Sequence, residues 1–446
     1  MVEALGDRGP NKSVIRRAPG LRSFGTTAQS GYRGSLLVND VLYLAFDGKL
    51  DKLTSTGGAS VEIGNLNGTR RGFFAANNAA TPDKVFVDPD GNIATFTPTS
   101  VANGYPDADL PAPNSVDVVD GYLVFTIADG RVFATDLNST SVNALSFGKA
   151  EAKPDGLVRG VAWGGRMLLF GTETTEVWVD AGTTPFPLSR NVVIPYGLAG
   201  PYCVAGHESG FGNGPIWVAN DNTVRTLNGY ATEKLSPPDL DGLIEKIIDK
   251  RELEATAYVA RGHAYWQLSS PGWTWVYDLN NGQWQERDSY LEPRSRIAGT
   301  IYAYSKWLTG DTLTGNIHEI SSSAYDEVGS PLRLRVESGP VMDFPAGEVV
   351  GRADFYFSTG IGDALGPDPS GTKPQVEVSW SDDGGLHWSN PVSRDLGVQA
   401  NGTGIVSLVS CTGRSRWQGR RWRLDISSPT YASFMFATQS TDPRAI

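Results

Sequence analysis

Apolar and polar positions along the chain repeat one short phrase: a β-branched or aromatic strand, a turn of Gly, Asp or Asn, and a second strand. The phrase reads VLYLAFDGKLDKL from Val41, VFVDPDGNIATF from Val85, YLVFTIADGRVFATDL from Tyr122 and MLLFGTETTEVWV from Met167. It returns as PIWVANDNTVRTLNG from Pro215, AYWQLSSPGWTWVYDLNNGQW from Ala264 and WLTGDTLTGNIHEI from Trp307. Successive starts lie 44, 37, 45, 48, 49 and 43 residues apart, and each interval fits one four-stranded propeller blade. The pairs Asp47-Gly48, Asp90-Gly91 and Asp129-Gly130 offer the positive-φ residues a tight hairpin needs, between strands expected to alternate apolar and polar side chains. The pattern predicts an all-β protein whose main body, residues 35–322, is an irregular seven-bladed β-propeller; divergence among the phrases leaves six or eight blades open.

One segment breaks the β period. In DLDGLIEKIIDKRELEA, residues 239–255, the apolar Leu243, Ile244, Ile247, Ile248 and Leu253 fall near helical spacing, with Asp239 and Asp241 as candidate caps. A short inserted helix follows, either packed on its own propeller or docking a neighbouring subunit. Beyond residue 322 the repeat stops. The segments LRLRVES, GRADFYF, QVEVSWS, GIVSLVS and WRLDISS read as strands of a small β-sandwich-like domain over residues 323–446, interrupted by a Gly/Pro/Asp-rich loop at 358–374. Residues 1–34 are left as an N-terminal arm.

Composition changes this picture little. Gly numbers 52 and Pro 27, which favours turns over long helices and agrees with an all-β chain. A formal charge of −11 disfavours broad nucleic-acid binding, which needs a concentrated basic footprint; any DNA encountered is expected to slide past without specific binding. The N-terminus shows no signal-peptide core, and no apolar run has membrane-spanning length. Cys203 and Cys411, without a CxxC motif or clustered histidines, read as buried free thiols.

Candidate chemistry is sparse. GxGxxG, the P-loop, HExxH and GxSxG are absent from the sequence, and no catalytic, cofactor-binding or metal-ligating set is predicted. His207, His263, His318 and His387 are scattered and read as satisfied side chains rather than ligands or bases. WSDDGGLHW carries Ser381, Asp383, Gly385 and Trp388 in the pattern of the Asp-box of sialidases, a hairpin brace rather than a catalytic element. The motif occurs once, without an identifiable arginine triad and tyrosine nucleophile. Together with 12 Trp residues able to stack on sugars, it keeps a carbohydrate-binding or sialidase-like propeller as the competing class. Near the end, GRSRWQGRRWRLDIS clusters Arg414, Arg416, Arg420, Arg421 and Arg423. On a strand, Arg421, Arg423 and Asp425 share one face and Trp422, Leu424 and Ile426 the other. The charged face is either simply solvated or pairs with acidic groups of a partner, with nucleic acid a third reading.

Several segments in order resemble the packaged-DNA stabilisation proteins, or tail hub proteins, of short-tailed bacteriophages. They are Gly20-Leu21-Arg22-Ser23-Phe24, PDGLVRGVAWGGRMLLFGTETTEVWVDAG from Pro154, GLAGPYC from Gly197, LIEKII from Leu243 and WVYDLNNGQW from Trp275. VEVSWSDDGGLHW and GRRWRLDI are similar in placement and pattern. The resemblance implies a non-enzymatic virion protein, assembled in the host bacterial cytoplasm after genome packaging. It implies a ring of about six copies beneath the portal and its adaptor ring. There the ring would close the channel together with a tail needle, plug or tail-fibre proteins and retain the DNA until ejection. On local chemistry the candidate interface residues are Leu243, Ile244, Lys246 and Ile247 on the helix and Arg421 and Arg423 on the C-terminal strand.

Overall fold

The computed structural model describes residues 2–4, 13–341, 349–358, 360–363, 369–400, 404–409, 415 and 417–441. Cys411, Arg414, Arg416 and residues 359 and 364–368 of the expected loop lie outside them.

Each of the seven phrases forms the second and third strands of a four-stranded antiparallel blade. In blade one Gly34–Val38 is innermost, followed by Val41–Phe46, Lys49–Leu53 and Val61–Asn65. The inner strands of blades two to seven are Phe73–Ala76, Ser115–Val119, Leu157–Trp163, Val204–Ala205, Glu254–Ala260 and Ile297–Ala303. They surround a central channel, and Ile297–Ala303 packs against Gly34–Val38 to complete the circle.

The second strands depart from the expected alternation. Val41–Phe46 is buried from Leu42 onward, and so is Arg166–Gly171 from Met167 onward. A strand inside a blade is covered by the neighbouring blade on each face, so both sets of side chains turn apolar. At the turns only the glycine of each Asp-Gly pair is left-handed, with φ of 69° at Gly48, 87° at Gly91 and 95° at Gly130. Tryptophans clasp consecutive blades: Trp217 Nε1 donates to Gly197 O, Trp266 Nε1 to Ile216 O and Trp284 Nε1 to Leu235 O, at 3.2, 3.1 and 2.8 Å.

Blade seven supplies only three strands from its own stretch of chain, Ile297–Ala303, Lys306–Asp311 and Ile317–Ser321. Its fourth strand is Gly20–Thr26, antiparallel to Ile317–Ser321 with Leu21 opposite Ile320. The start of the chain thus closes the ring. Glycine is required at position 20, because a Cβ there would lie 2.3 Å from Asp326 O.

The helix is Pro238–Lys246, shorter than the apolar spacing predicted. Pro237 precedes it without a side-chain cap; Asp241 instead accepts from Lys234 Nζ at 2.6 Å. A proline at the first helical position removes one of the N–H groups a cap would satisfy, and Leu240 N and Asp241 N donate to Pro237 O rather than to an aspartate side chain. Asp249 then nucleates a 3-10 turn, Lys250–Glu252, by accepting from Arg251 N, and the chain passes into blade six.

The C-terminal region is a β-sandwich. One sheet orders Leu334–Glu337, Arg421–Ile426, Gln375–Ser381 and Val392–Asp395; the other orders Val2–Ala4, Ser13–Arg16, Ser433–Thr441, Val350–Phe357 and Ile405–Val409. Phe355, Phe357, Val376, Val378, Val406, Leu408, Trp422 and Leu424 form its core. The N-terminal segment therefore contributes two strands to the sandwich and then one to the propeller. Between them Arg17, 1% exposed, donates Nη1 to the carbonyls of Tyr325, Ser428 and Thr430 and Nη2 to that of Ile426. Arg261 Nη1 donates to Arg17 O, and Arg287 Nη2 to Pro19 O and Glu327 Oε1. Among the described residues no helix is long and apolar enough to cross a membrane.

Replacing Arg17 by Leu removes four hydrogen bonds to carbonyls between propeller and sandwich, three of them buried. The variant is expected to lose about 3 kcal/mol of stability, read as a lower midpoint in chemical denaturation. An unchanged midpoint would mean that this junction contributes nothing.

Candidate functional site

The sequence-derived candidates separate into two places. On the helix, Ile244 is fully buried in the core shared by blades four to seven, Ile247 packs against that core, and Leu243 is half-buried. Lys246 is exposed, and Ile248 is 100% exposed. The helix thus presents Lys246 outward, with Ile248 exposed just past its end, and spends Ile244 on its own propeller.

The Asp-box residues and the arginine face meet on the sandwich. Ser381 Oγ donates to Asp383 Oδ1 at 2.9 Å and accepts from Gly385 N at 2.9 Å. Asp383 Oδ1 accepts from His387 N at 2.9 Å, and its carboxyl is held well below the usual range by that bond and by the His387 ring. Gly384 and Gly385 turn the chain at φ of 81° and 102°. Trp388 lies under the Arg423 guanidinium, 3.7 Å from the ring centroid, and Arg423 Nε also donates to Glu337 at 2.7 Å. Arg335 grips Asp425 through two bonds, 2.8 and 3.0 Å. Arg420, 0% exposed, does the same to Asp382 at 2.7 and 2.9 Å. The alternation expected for Arg421–Ile426 is present, with Trp422, Leu424 and Ile426 buried. These groups brace a turn and pair within one sheet.

A third place was not legible from the sequence. The propeller channel encloses a cavity of about 770 Å³, lined from every blade's inner edge. Arg71 in its wall pairs with Glu254 at 3.1 Å, Glu254 also pairs with Arg294 at 2.9 Å, and Tyr202 Oη donates to Arg71 O. Deeper groups come from different elements. Asp117 stands on the inner strand of blade three and Arg159 on that of blade four. His207 and Glu208 ride on GHESGFGNG, residues 206–214, whose four glycines all have positive φ. Arg159 lies over Phe73, 4.1 Å from the ring centroid; Nη1 donates to Pro201 O at 3.2 Å and Nη2 reaches His207 Nε2 at 3.4 Å.

Burial dominates the electrostatics. It lowers Arg159 to about 10 and, with Arg159 beside it, His207 to about 3, so the imidazole is neutral. Burial raises Asp117 to about 6, although Ala162 N and Val118 N both donate to it at 2.8 Å. Glu208 is raised for the same reason and accepts from Gly206 N. Elsewhere His263 bonds Asp278 at 2.7 Å and His318 bonds Asp311 at 3.3 Å, both as structural contacts. Cys203 is a buried free thiol pushed up to about 12 by burial. Among the described residues no group of three or more His, Cys, Asp or Glu could hold a metal. The one available sequence signal for the channel was a charge inside an otherwise apolar inner strand, as Asp117 in VDVV and Arg159 in VRGVAW.

The two shifted groups act on stability with opposite sign. A folded value raised above the unfolded one makes Asp117 stabilising at low pH, a contribution lost as pH rises through about 6. A depressed folded value makes His207 stabilising above about 6.5, a contribution lost as pH falls towards 3. Between pH 7 and 5, melting temperature should therefore fall more steeply in Asp117→Asn than in the wild type and less steeply in His207→Gln. Parallel curves for all three would contradict the assignment.

Three solved propellers are similar to this chain. BamB from Moraxella catarrhalis is 11% identical with a TM-score of 0.42, covering 72% of this chain and 93% of its own. The WD40 propeller domain of Doa1 is 9% identical with a TM-score of 0.42, covering 69% and 97%. The RRP9 WD40 repeats are 11% identical with a TM-score of 0.42, covering 69% and 99%. No curated protein matches the sequence. The phage stabilisation family model, described as Bacteriophage P22 Gp10, beta-propeller, matches residues 1–325, which hold the propeller-closing strand and all seven blades. The chain belongs to that phage stabilisation family.

Proposed function

We propose that this protein is a structural component of a short-tailed phage tail, a hub or nozzle ring below the portal and its adaptor that closes the exit channel and retains packaged DNA until ejection. The observation that carries the reading is the family match over residues 1–325. The propeller's own channel supports it by elimination. A cavity of about 770 Å³ has the size of a small-molecule pocket, far short of a bore wide enough for a duplex. A DNA path must then run between copies, in a ring of about six. The net charge of −11 suits a wall that a polyanion slides along without sticking.

Subunit contacts would draw on groups that the fold leaves outward. Lys246 stands exposed at the end of the inserted helix and Ile248 just beyond it, and Arg421 is half-exposed at the sandwich surface. Adaptor, needle, plug and fibre proteins are the neighbours this placement implies. The role is non-enzymatic, located in the virion after assembly in the host cytoplasm. The Asp-box favours no sugar chemistry, since its Ser, Asp and Gly hold a turn and its Trp carries Arg423.

Particles assembled without this protein should package DNA and then lose it, giving empty heads without the lower tail in density gradients and electron micrographs. Stable full particles would overturn the reading. Particles assembled with an Ile248→Asp, Arg421→Glu double variant should incorporate severalfold less of the protein, although it folds with wild-type melting behaviour. Unchanged incorporation would remove these residues from the interface.

A further inference from the structure

The channel cavity has an imbalance between its donors and acceptors. Its two deep carboxylates are already occupied, Asp117 by Ala162 N and Val118 N and Glu208 by Gly206 N. The Arg159 guanidinium is not matched in this way. Among the described residues no carboxylate lies within ion-pair distance of it, and only Pro201 O and His207 Nε2 accept from it, the second at a long 3.4 Å. With Nε2 accepting, the neutral ring carries its proton on Nδ1, which finds no acceptor within hydrogen-bond distance. Arg159 and His207 are half-buried, but Arg159 Nε and His207 Nδ1 are shut from solvent without a partner, and a shielded donor of that kind costs stability unless something completes it. What completes a donor surplus is an acceptor with charge.

Geometry adds to this. The cavity volume matches that of small-molecule sites, and its walls mix aromatic and polar groups. Phe73 backs the guanidinium, fixing its plane and leaving its edge for a forked contact. The wall carrying His207 and Glu208 is the loop 206–214, where Gly206, Gly210, Gly212 and Gly214 have φ of 101°, 88°, 77° and 89°. That backbone brings the two side chains into the channel at a place where a plain hairpin would leave it open.

We propose that the propeller channel is a binding site for a small ligand bearing an oxyanion, a carboxylate or phosphate group, anchored by Arg159. The groups facing that anchor are Asp117, Glu208, His207, Arg71 and Tyr202. An anion seated there favours the protonated forms of Asp117 and Glu208, so binding takes up protons and strengthens as pH falls from 7.5 to 5.5. The site is separate from the proposed tail role, and either stands without the other.

The test is isothermal titration calorimetry of the full-length protein with inorganic phosphate and, separately, citrate at fixed ionic strength. Saturable binding of one or both is expected, tighter at pH 5.5 than at 7.5. Phosphate alone would assign a phosphate ligand, and citrate alone a carboxylate. Arg159→Leu should weaken binding by about tenfold or more, the loss of a charge-assisted contact. Ala76→Phe, which fills the cavity from the inner strand of blade two, decides the matter if the first variant does not fold. No saturable binding of either anion to the wild type, or binding unchanged in the folded variants, would overturn the proposal.

Discussion

The architecture depends on one strand pairing, Gly20–Thr26 against Ile317–Ser321, between residues some three hundred positions apart in the chain. A propeller with an open seam would expose sheet edges and leave inner strands without neighbours, so closing the ring stabilises every blade at once. Here the closing strand comes from the beginning of the chain, and it is held on both sides. Upstream, Ser13–Arg16 is a strand of the sandwich; downstream, the chain passes directly into blade one. The N-terminal segment is therefore the piece that makes propeller and sandwich into one body.

That arrangement explains why arginines, rather than apolar side chains, fill the junction. Where two β units meet end to end, strand termini leave carbonyls that no sheet partner can satisfy. A guanidinium, with donors spread in a plane, reaches several at once, and Arg17 meets four. Arg287 ties the same crossing to Glu327, and Arg296 grips Asp311 at 3.0 and 2.6 Å inside blade seven. For a protein proposed to hold against DNA pressure, such a seam resists shear through directional bonds while the blades resist it through packing.

Much of the fold was legible because each blade writes its own hairpin locally. The turn glycines at Gly48, Gly91 and Gly130, and the strands on either side of them, lie within about fifteen residues of one another. The fourth strand of blade seven was not legible, since nothing local in GLRSFGT says that its partner is Ile317–Ser321. The same holds for the channel. Asp117, Arg159 and the pair His207 and Glu208 come from three different blades, and only closure of the ring brings them into one cavity. The Asp-box was visible as a spacing, whereas the stacking of its Trp388, in the loop after Gln375–Ser381, on Arg423 of a strand distant in sequence had to be seen. The inserted helix was visible too, but Pro237 and Pro238 overruled the aspartate caps its pattern suggested.

The central claim is that this propeller works as part of a closed ring at the base of a phage head. The measurement that tests it most directly is a cryo-electron microscopy reconstruction of the intact virion, without imposed tail symmetry, into which the seven-bladed propeller and its sandwich are fitted. The account predicts a ring of these subunits below the portal, with the DNA path running between copies and each propeller channel set off that axis. Subunits absent from the virion, or a DNA path running through the propeller's own channel, would contradict it.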